Sequence, residues 1–105
     1  MQTAVRDLLA LTQTLHDTVD FSVIEKATPI LDRLADPLSA ADIEALLSLL
    51  PANGDTAFGL NWTILHAIES SPFWPRWDLL AESLDHEWRE LLLVRLKNDG
   101  YAPPA

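Results

Sequence analysis

The sequence predicts an all-α fold. Apolar residues recur at spacings of three and four along most of the 105 residues, no segment alternates with the period of a strand, and proline or Asn-Gly punctuation separates the periodic stretches. With 49% hydrophobic residues and only three glycines, the chain has enough apolar material for one core, and no change in composition marks a second. Residues 1–105 therefore read as a single domain of five to six antiparallel helices, either a bundle or a short solenoid-like stack of helical hairpins, with a short flexible tail over 101–105.

The first helix is expected over residues 3–17, where Val5, Leu8, Leu9, Leu11 and Leu15 define one apolar face. A second begins near Asp20 and carries Val23, Ile24, Ala27, Ile30, Leu31 and Leu34 in the same rhythm. Pro29 lies inside it, so the helix either kinks there or restarts with Thr28 as cap; the apolar period passes through Pro29 without a slip, which favours one kinked helix. Asp36-Pro37 ends that element. Ser39-Ala40-Ala41-Asp42 resembles a capping box with Asp in place of Glu, opening a third helix over 40–50 that Pro51 closes.

Residues 51–59 hold two of the three glycines and the Asn53-Gly54 pair, and read as a loop, the most mobile part of the chain. A fourth helix should start at Leu60 or Asn61 and end by Ser71, because Pro72 disfavours the helical region for the residue before it. Residues 77–84 suggest a short fifth helix with Trp77, Leu80 and Leu84 on one side. The last starts at Asp85 or His86 and runs to Asn98, with Gly100 as a left-handed cap and Lys97 near the negative end of the dipole.

Sixteen acidic against seven basic side chains give a formal charge of -9, which disfavours nucleic acid and anionic membrane as partners, since phosphate binding needs clustered Lys and Arg. A basic protein is the better match. The acid is spread evenly along the chain, with eight carboxylates in residues 1–50 and eight in 51–105. Cysteine is absent, which removes disulfides, thiolate metal ligands and thiol nucleophiles. The N-terminal apolar run is too short and interrupted for a signal segment, and no stretch of eighteen apolar residues could span a bilayer, so a soluble, cytoplasmic, unprocessed protein is expected.

Three of the four tryptophans fall between positions 62 and 77, and aromatic density of that kind makes either a core or a docking surface. On helical wheels, Trp62, Leu65, His66 and Glu69 share one side of the fourth helix, and Trp88, Leu91, Leu92 and Arg95 share one side of the last. The plainest reading is a structural polar cluster: a buried Glu69–Arg95 ion pair, oriented by His66 and shielded by Trp62 and Trp88. A recognition pocket is the functional alternative, and a catalytic Glu69–His66 pair ranks behind both. His66-x-x-Glu69 could also supply half of a metal site, but neither His16 nor His86 brings the matching half, so no metal or other cofactor is expected. Ser70 and Ser71 lack a glycine-flanked elbow, and no phosphate-cradling loop occurs, so the chain is not expected to be an enzyme.

Phe73-Trp74-Pro75-Arg76-Trp77 is the most distinctive turn. Pro72 and Pro75 limit the entropy that displayed side chains lose on binding, which makes Trp74 with Arg76 a candidate partner-binding anchor, while Trp77 fits an inner helix face. The competing reading has both tryptophans roofing the core. Asp17, Asp20, Glu25, Asp32 and Asp36 belong to the first two helices and their flanks; they form either a solvated face or a field that steers a cationic partner.

The run Leu60-Asn61-Trp62-Thr63-Ile64-Leu65-His66-Ala67-Ile68-Glu69-Ser70-Ser71-Pro72, then Trp74-Pro75, Trp88 and Leu92-x-x-Arg95-Leu96-x-Asn98, resembles small all-α immunity proteins of bacterial polymorphic and type VI secreted toxins. The likeness covers about forty residues and rests on aromatic and helix-end positions. It implies a protein that binds a cognate toxin tightly and occludes its active site or substrate entrance, with no chemistry of its own. A helical-repeat adaptor that holds a peptide in a groove is the alternative from another class.

Overall fold

The computed structural model describes residues 1–80 and 85–102. Six α-helices and no strand occur among them: α1 Thr3–Leu11, α2 Phe21–Asp32, α3 Ala40–Leu49, α4 Leu60–Glu69, α5 Trp77–Leu80 and α6 Glu87–Asn98. None of these helices is long and apolar enough to cross a membrane.

Helix α1 stops at Leu11, well short of the expected residue 17, because the Thr12 hydroxyl donates to the Thr14 carbonyl and the backbone turns extended. Leu15 keeps its helical spacing in the sequence but leaves the helix; it is fully buried and its N–H donates to the Leu49 carbonyl at 2.9 Å. Helix α2 runs unbroken through Pro29, so the restart at Thr28 does not occur; the Thr28 hydroxyl instead donates to the Ile24 carbonyl at 2.9 Å. At α3 the capping box is complete: Ser39 Oγ accepts from the Asp42 N–H, and Asp42 Oδ2 accepts from the Ser39 N–H. Helix α6 ends in a pair of bonds that identify a Schellman motif: Gly100 N–H donates to Lys97 and Tyr101 N–H to Leu96, with Gly100 left-handed at φ 89°. The second half of the expected fifth helix, residues 81–84, lies outside the described residues.

Cross-chain bonds fix the direction of each helix. Gln2 at the start of α1 bonds to Ala35 beyond the end of α2, Ser71 beyond α4 donates to Leu38 before α3, and Asn61 near the start of α4 reaches Leu15 beyond α1. Helices α1 to α4 thus alternate in direction, as the short connections require. Helix α6 does not continue the alternation. Trp62 packs on Trp88, and Glu69 binds Arg95, and on each helix the two contacts are seven positions apart in the same order, so α4 and α6 lie side by side in the same sense.

The core is formed by Val5, Leu8, Ile24, Leu31, Ile43, Leu46, Leu47, Ile64, Leu65, Ile68, Leu92 and their neighbours, all nearly inaccessible. A buried polar side chain closes each end of the molecule, with Ser71, bonded to Leu38, buried beside the first of them. At the end where α1 and α3 begin, Asp42, 3% exposed, accepts from the backbone of Ser39 and of Gln2 as well as from the Gln2 amide. Burial by itself pushes the Asp42 carboxyl up; the hydrogen bonds from Ser39 and Gln2 outweigh it and hold the group below the usual carboxylate range.

At the other end stands Asn61, fully buried within the α4 stripe of Asn61, Ile64, Leu65 and Ile68. Its amide donates both hydrogens, to the Leu15 carbonyl at 2.9 Å and to the Asp55 carbonyl at 2.7 Å. The same Asp55 carbonyl accepts from Trp88 Nε1 at 2.9 Å. Around it, Asp17 Oδ1 accepts from the Ala57 N–H and Asp55 Oδ2 accepts from the Asp17 N–H. The Glu87 N–H donates to the Ala52 carbonyl. The 51–59 loop that composition marks as most mobile is in this way cross-linked to the 12–20 segment, to α4 and to α6.

Two outcomes follow. Asn61→Ala removes two bonds to buried carbonyls and leaves a small void, and should cost about 2–4 kcal/mol in urea-induced unfolding. Asp42→Ala should cost about 2 kcal/mol at pH 7. Because the folded Asp42 carboxyl titrates below its unfolded value, its contribution is present above about pH 4 and is lost as pH falls through the folded value, so parent and variant should converge in acid.

Candidate functional site

The α4–α6 seam carries two rungs, two helical turns apart. At the lower rung, Arg95 Nε and Nη2 donate to Glu69 Oε2 and Oε1, both at 2.8 Å, a bidentate pair. The hydrogen bonds that Arg95 donates to Glu69, against a smaller opposing effect of burial, raise the pKa of the Arg95 guanidinium above its ordinary value. The pair is not buried as the sequence reading has it: Glu69 is 19% and Arg95 37% exposed at the side chain. The buried stripes are Ile64, Leu65 and Ile68 on α4 and Trp88, Leu92 and Leu96 on α6, so the wheel sides holding Glu69 and Arg95 flank the core rather than enter it. Nor does His66 orient the pair. It is exposed, and its ring centroid lies 6.3 Å from that of Trp62. With both Glu69 oxygens committed to Arg95, no Glu69–His66 dyad is assembled.

At the upper rung, Trp62 and Trp88 meet edge to face with ring centroids 5.1 Å apart, too far up the seam to shield the ion pair. Trp88 is 2% exposed and its indole is fixed by the Asp55 carbonyl; Trp62 is 38% exposed. Beside them opens a cavity of about 250 Å³ lined by Gly54, Thr56, Trp62, Glu87, Trp88 and Leu91. Gly54, left-handed at φ 76°, lets the loop pass against Glu87: a Cβ here would collide with the Glu87 carboxylate. On the other side of Glu87 an acidic cleft is lined by Ala52, Asn53, Asp85, Glu87 and Glu90.

The loop before α4 displays a further aromatic. Ala57, Phe58 and Gly59 are successively left-handed, at φ 48°, 56° and 90°. For Ala57 and Phe58 this costs of order 1–3 kcal/mol each. Ala57 is buried with its N–H held by Asp17, and the turn throws Phe58 outward to 68% exposure. Phe21, first in α2, is 67% exposed.

His86 joins this end to α3 as the N-cap of α6. Its Nδ1 accepts from the Arg89 N–H and its Nε2 faces the Leu50 carbonyl, both at 3.2 Å, the pattern of a neutral imidazole with the proton on Nε2. Burial first, then the neighbouring Arg89 charge, lowers the His86 pKa.

The expected partner-binding residues separate in space. Asp17 and Asp20 stand at the Asn61 end, although Asp17 is structural there, while Asp32 and Asp36 are exposed at the opposite end. Trp74 is half-buried, packs on the core together with Trp77, and is no more displayed than its partner; Phe73, 53% exposed, is the outward residue of that turn. The Trp74 indole N–H has no protein partner, and Trp74 lines a cleft of about 390 Å³ with Glu69, Arg95, Asp99 and Tyr101. Tyr101, the first residue of the expected tail, lines this cleft with its N–H donating to Leu96, and residues 103–105 of that tail lie outside the described residues. Arg76 is engaged: it grips Asp78 with two bonds, at 2.7 and 3.0 Å, and reaches the Ala40 carbonyl at 3.3 Å. Those bonds, with burial opposing, hold the Asp78 carboxyl below the usual range.

Sequence reasoning passed over Phe21, Phe58 and Glu87. Phe58 could have been found from its place in a short polar loop before Gly59, with no apolar period to place it in a core. Asn61 was legible too, as the lone polar residue at helical spacing with Ile64, Leu65 and Ile68. Among the described residues no three His, Cys, Asp or Glu side chains are grouped to hold a metal ion. No protein-family model, curated protein or solved structure matches the chain.

The half-exposed Glu69–Arg95 pair should show a coupling of about 1 kcal/mol in a double-mutant cycle, well below the ~3–5 kcal/mol for breaking a buried pair. For His86, the unfolded chain takes up a proton near pH 6.5 and the folded chain only at lower pH, so stability is full above about 6.5 and declines below it. His86→Asn, which keeps a cap acceptor without a titrating proton, should flatten the fall in urea stability between pH 7.5 and 5.5.

Proposed function

We propose that this chain is an immunity-type inhibitor: a non-catalytic protein that binds a basic bacterial toxin and covers its active site or substrate entrance. The observation that carries the reading is the composition of the Asn61 end. Three exposed aromatics, Phe21, Phe58 and Trp62, stand there among Asp17, Asp20, Asp55, Asp85, Glu87 and Glu90. The charge, even along the sequence, is uneven in space. Arg33, Arg76 and Arg95 are each spent on a carboxylate, Asp7, Asp78 and Glu69, away from this end, where Arg89 stands against the six carboxylates. Exposed aromatics supply desolvated anchors and the surrounding acids supply steering, the division of labour of tight protein inhibitors.

Co-expression tests it. The C-terminal domain encoded beside this gene should be lethal to a bacterial host alone and tolerated with this chain; absence of toxicity, or of protection, overturns the reading. In a kinetic binding assay with that domain, replacing Asp20, Asp85 and Glu90 by their amides should slow association and flatten its dependence on salt while changing dissociation little.

A further inference from the structure

We infer that the slot between Trp62, Trp88 and Leu91 is a receptor for one arginine side chain of the partner, with Glu87 as its carboxylate; this rests on the inhibitor reading for the source of the arginine and on the slot alone for its chemistry. At about 250 Å³ the cavity is smaller than the roughly 300–1,000 Å³ of small-molecule sites, and suits a single long side chain. Its walls are indole, leucine and a threonine, and one edge is formed by Gly54 and by Glu87, whose carboxylate lies against that glycine. That combination selects a planar cation. A guanidinium can lie against indole while donating two bonds to a carboxylate, which an ammonium cannot do in the same way, and its stem is apolar enough for the leucine wall.

The slot is held in shape before any partner arrives. Trp88 is locked by the Asp55 carbonyl, and the Glu87 backbone is tied to Ala52. Among the described residues no salt bridge engages Glu87, Asp85 or Glu90, and Arg89, the arginine of this helix turn, donates to the Leu79 carbonyl instead, so the edge of the slot stays net negative. Trp62 leaves 38% of its surface accessible where a neutral apolar side chain could equally pack; the charge along the edge decides for a cation.

The test is titration of the full chain, followed by the indole and backbone amide resonances, with N-acetyl-arginine methylamide and its uncharged isostere N-acetyl-citrulline methylamide. The arginine probe should give saturable shifts confined to Gly54, Thr56, Trp62, Trp88 and Leu91, at least tenfold tighter than the citrulline probe. Trp62→Ala and Glu87→Gln, both at exposed positions, should keep the remaining spectrum and each weaken the probe by fivefold or more. Equal binding of citrulline, unchanged binding by a folded Trp62→Ala chain, or a dimer in sedimentation that Trp62→Ala dissolves would overturn the inference, the last by showing that a second copy fills the slot. Protection from the toxin by a chain that ignores the arginine probe would sink the slot and leave the inhibitor reading standing; arginine binding without protection would do the reverse.

Discussion

The fold depends most on one backbone carbonyl. Asp55 C=O accepts from the buried Asn61 amide and from the Trp88 indole, and through these two bonds a loop, the middle of the chain and its last helix become one body. Both lone pairs of the oxygen are used. A buried NH2 group is costly unless it is satisfied, and that of Asn61 meets the cost only where the Leu15 and Asp55 carbonyls converge, while Asn61 Oδ1 has no protein partner. The requirement defines a unique arrangement more sharply than apolar packing alone does. It explains why α1 ends early: Leu15 must leave the helix to offer its carbonyl to Asn61 and its N–H to Leu49.

The constraint has a functional side. Parallel placement of α4 and α6 follows from two rungs, and the upper one puts Trp62 at the mouth of a slot whose far wall, Trp88, is immobilised by the same carbonyl. The left-handed turn at Ala57 and Phe58 stores strain that the Asp17 and Asp55 bonds sustain, and it turns Phe58 into solvent. A surface fixed in this way loses little entropy when a partner docks. Arg33, Arg76 and Arg95 are paired elsewhere, so the carboxylates of this end outnumber its arginine, Arg89, and act at a distance.

Much of this was written in local sequence. The helical class, the passage of α2 through Pro29, the Ser39–Asp42 cap and the Gly100 terminus each rest on residues within a few positions of one another, where period and capping chemistry decide. The Glu69–Arg95 contact was legible from matching helix faces. Its exposure was not, because a wheel gives direction around a helix and not which neighbour stands there. The same limit hid the positions of His66 and Trp74. The hub at Asp55 joins residues more than thirty positions apart through a main-chain carbonyl, to which side-chain patterns are blind, and loop composition gave no sign of it: Asn53, Gly54 and Gly59 mark a loop without telling that Asp17, Asn61 and Trp88 bond to it.

Hydrogen exchange at the Trp88 indole tests the account most directly. If the Asp55 hub holds this end together, Trp88 Nε1–H should exchange only through global unfolding, at the rate of the slowest core amides such as those of Leu65 and Leu92. Exchange of that indole at the rate of an exposed tryptophan, while the core amides stay protected, would show that the loop opens independently and that the acidic, aromatic end is not a preformed surface.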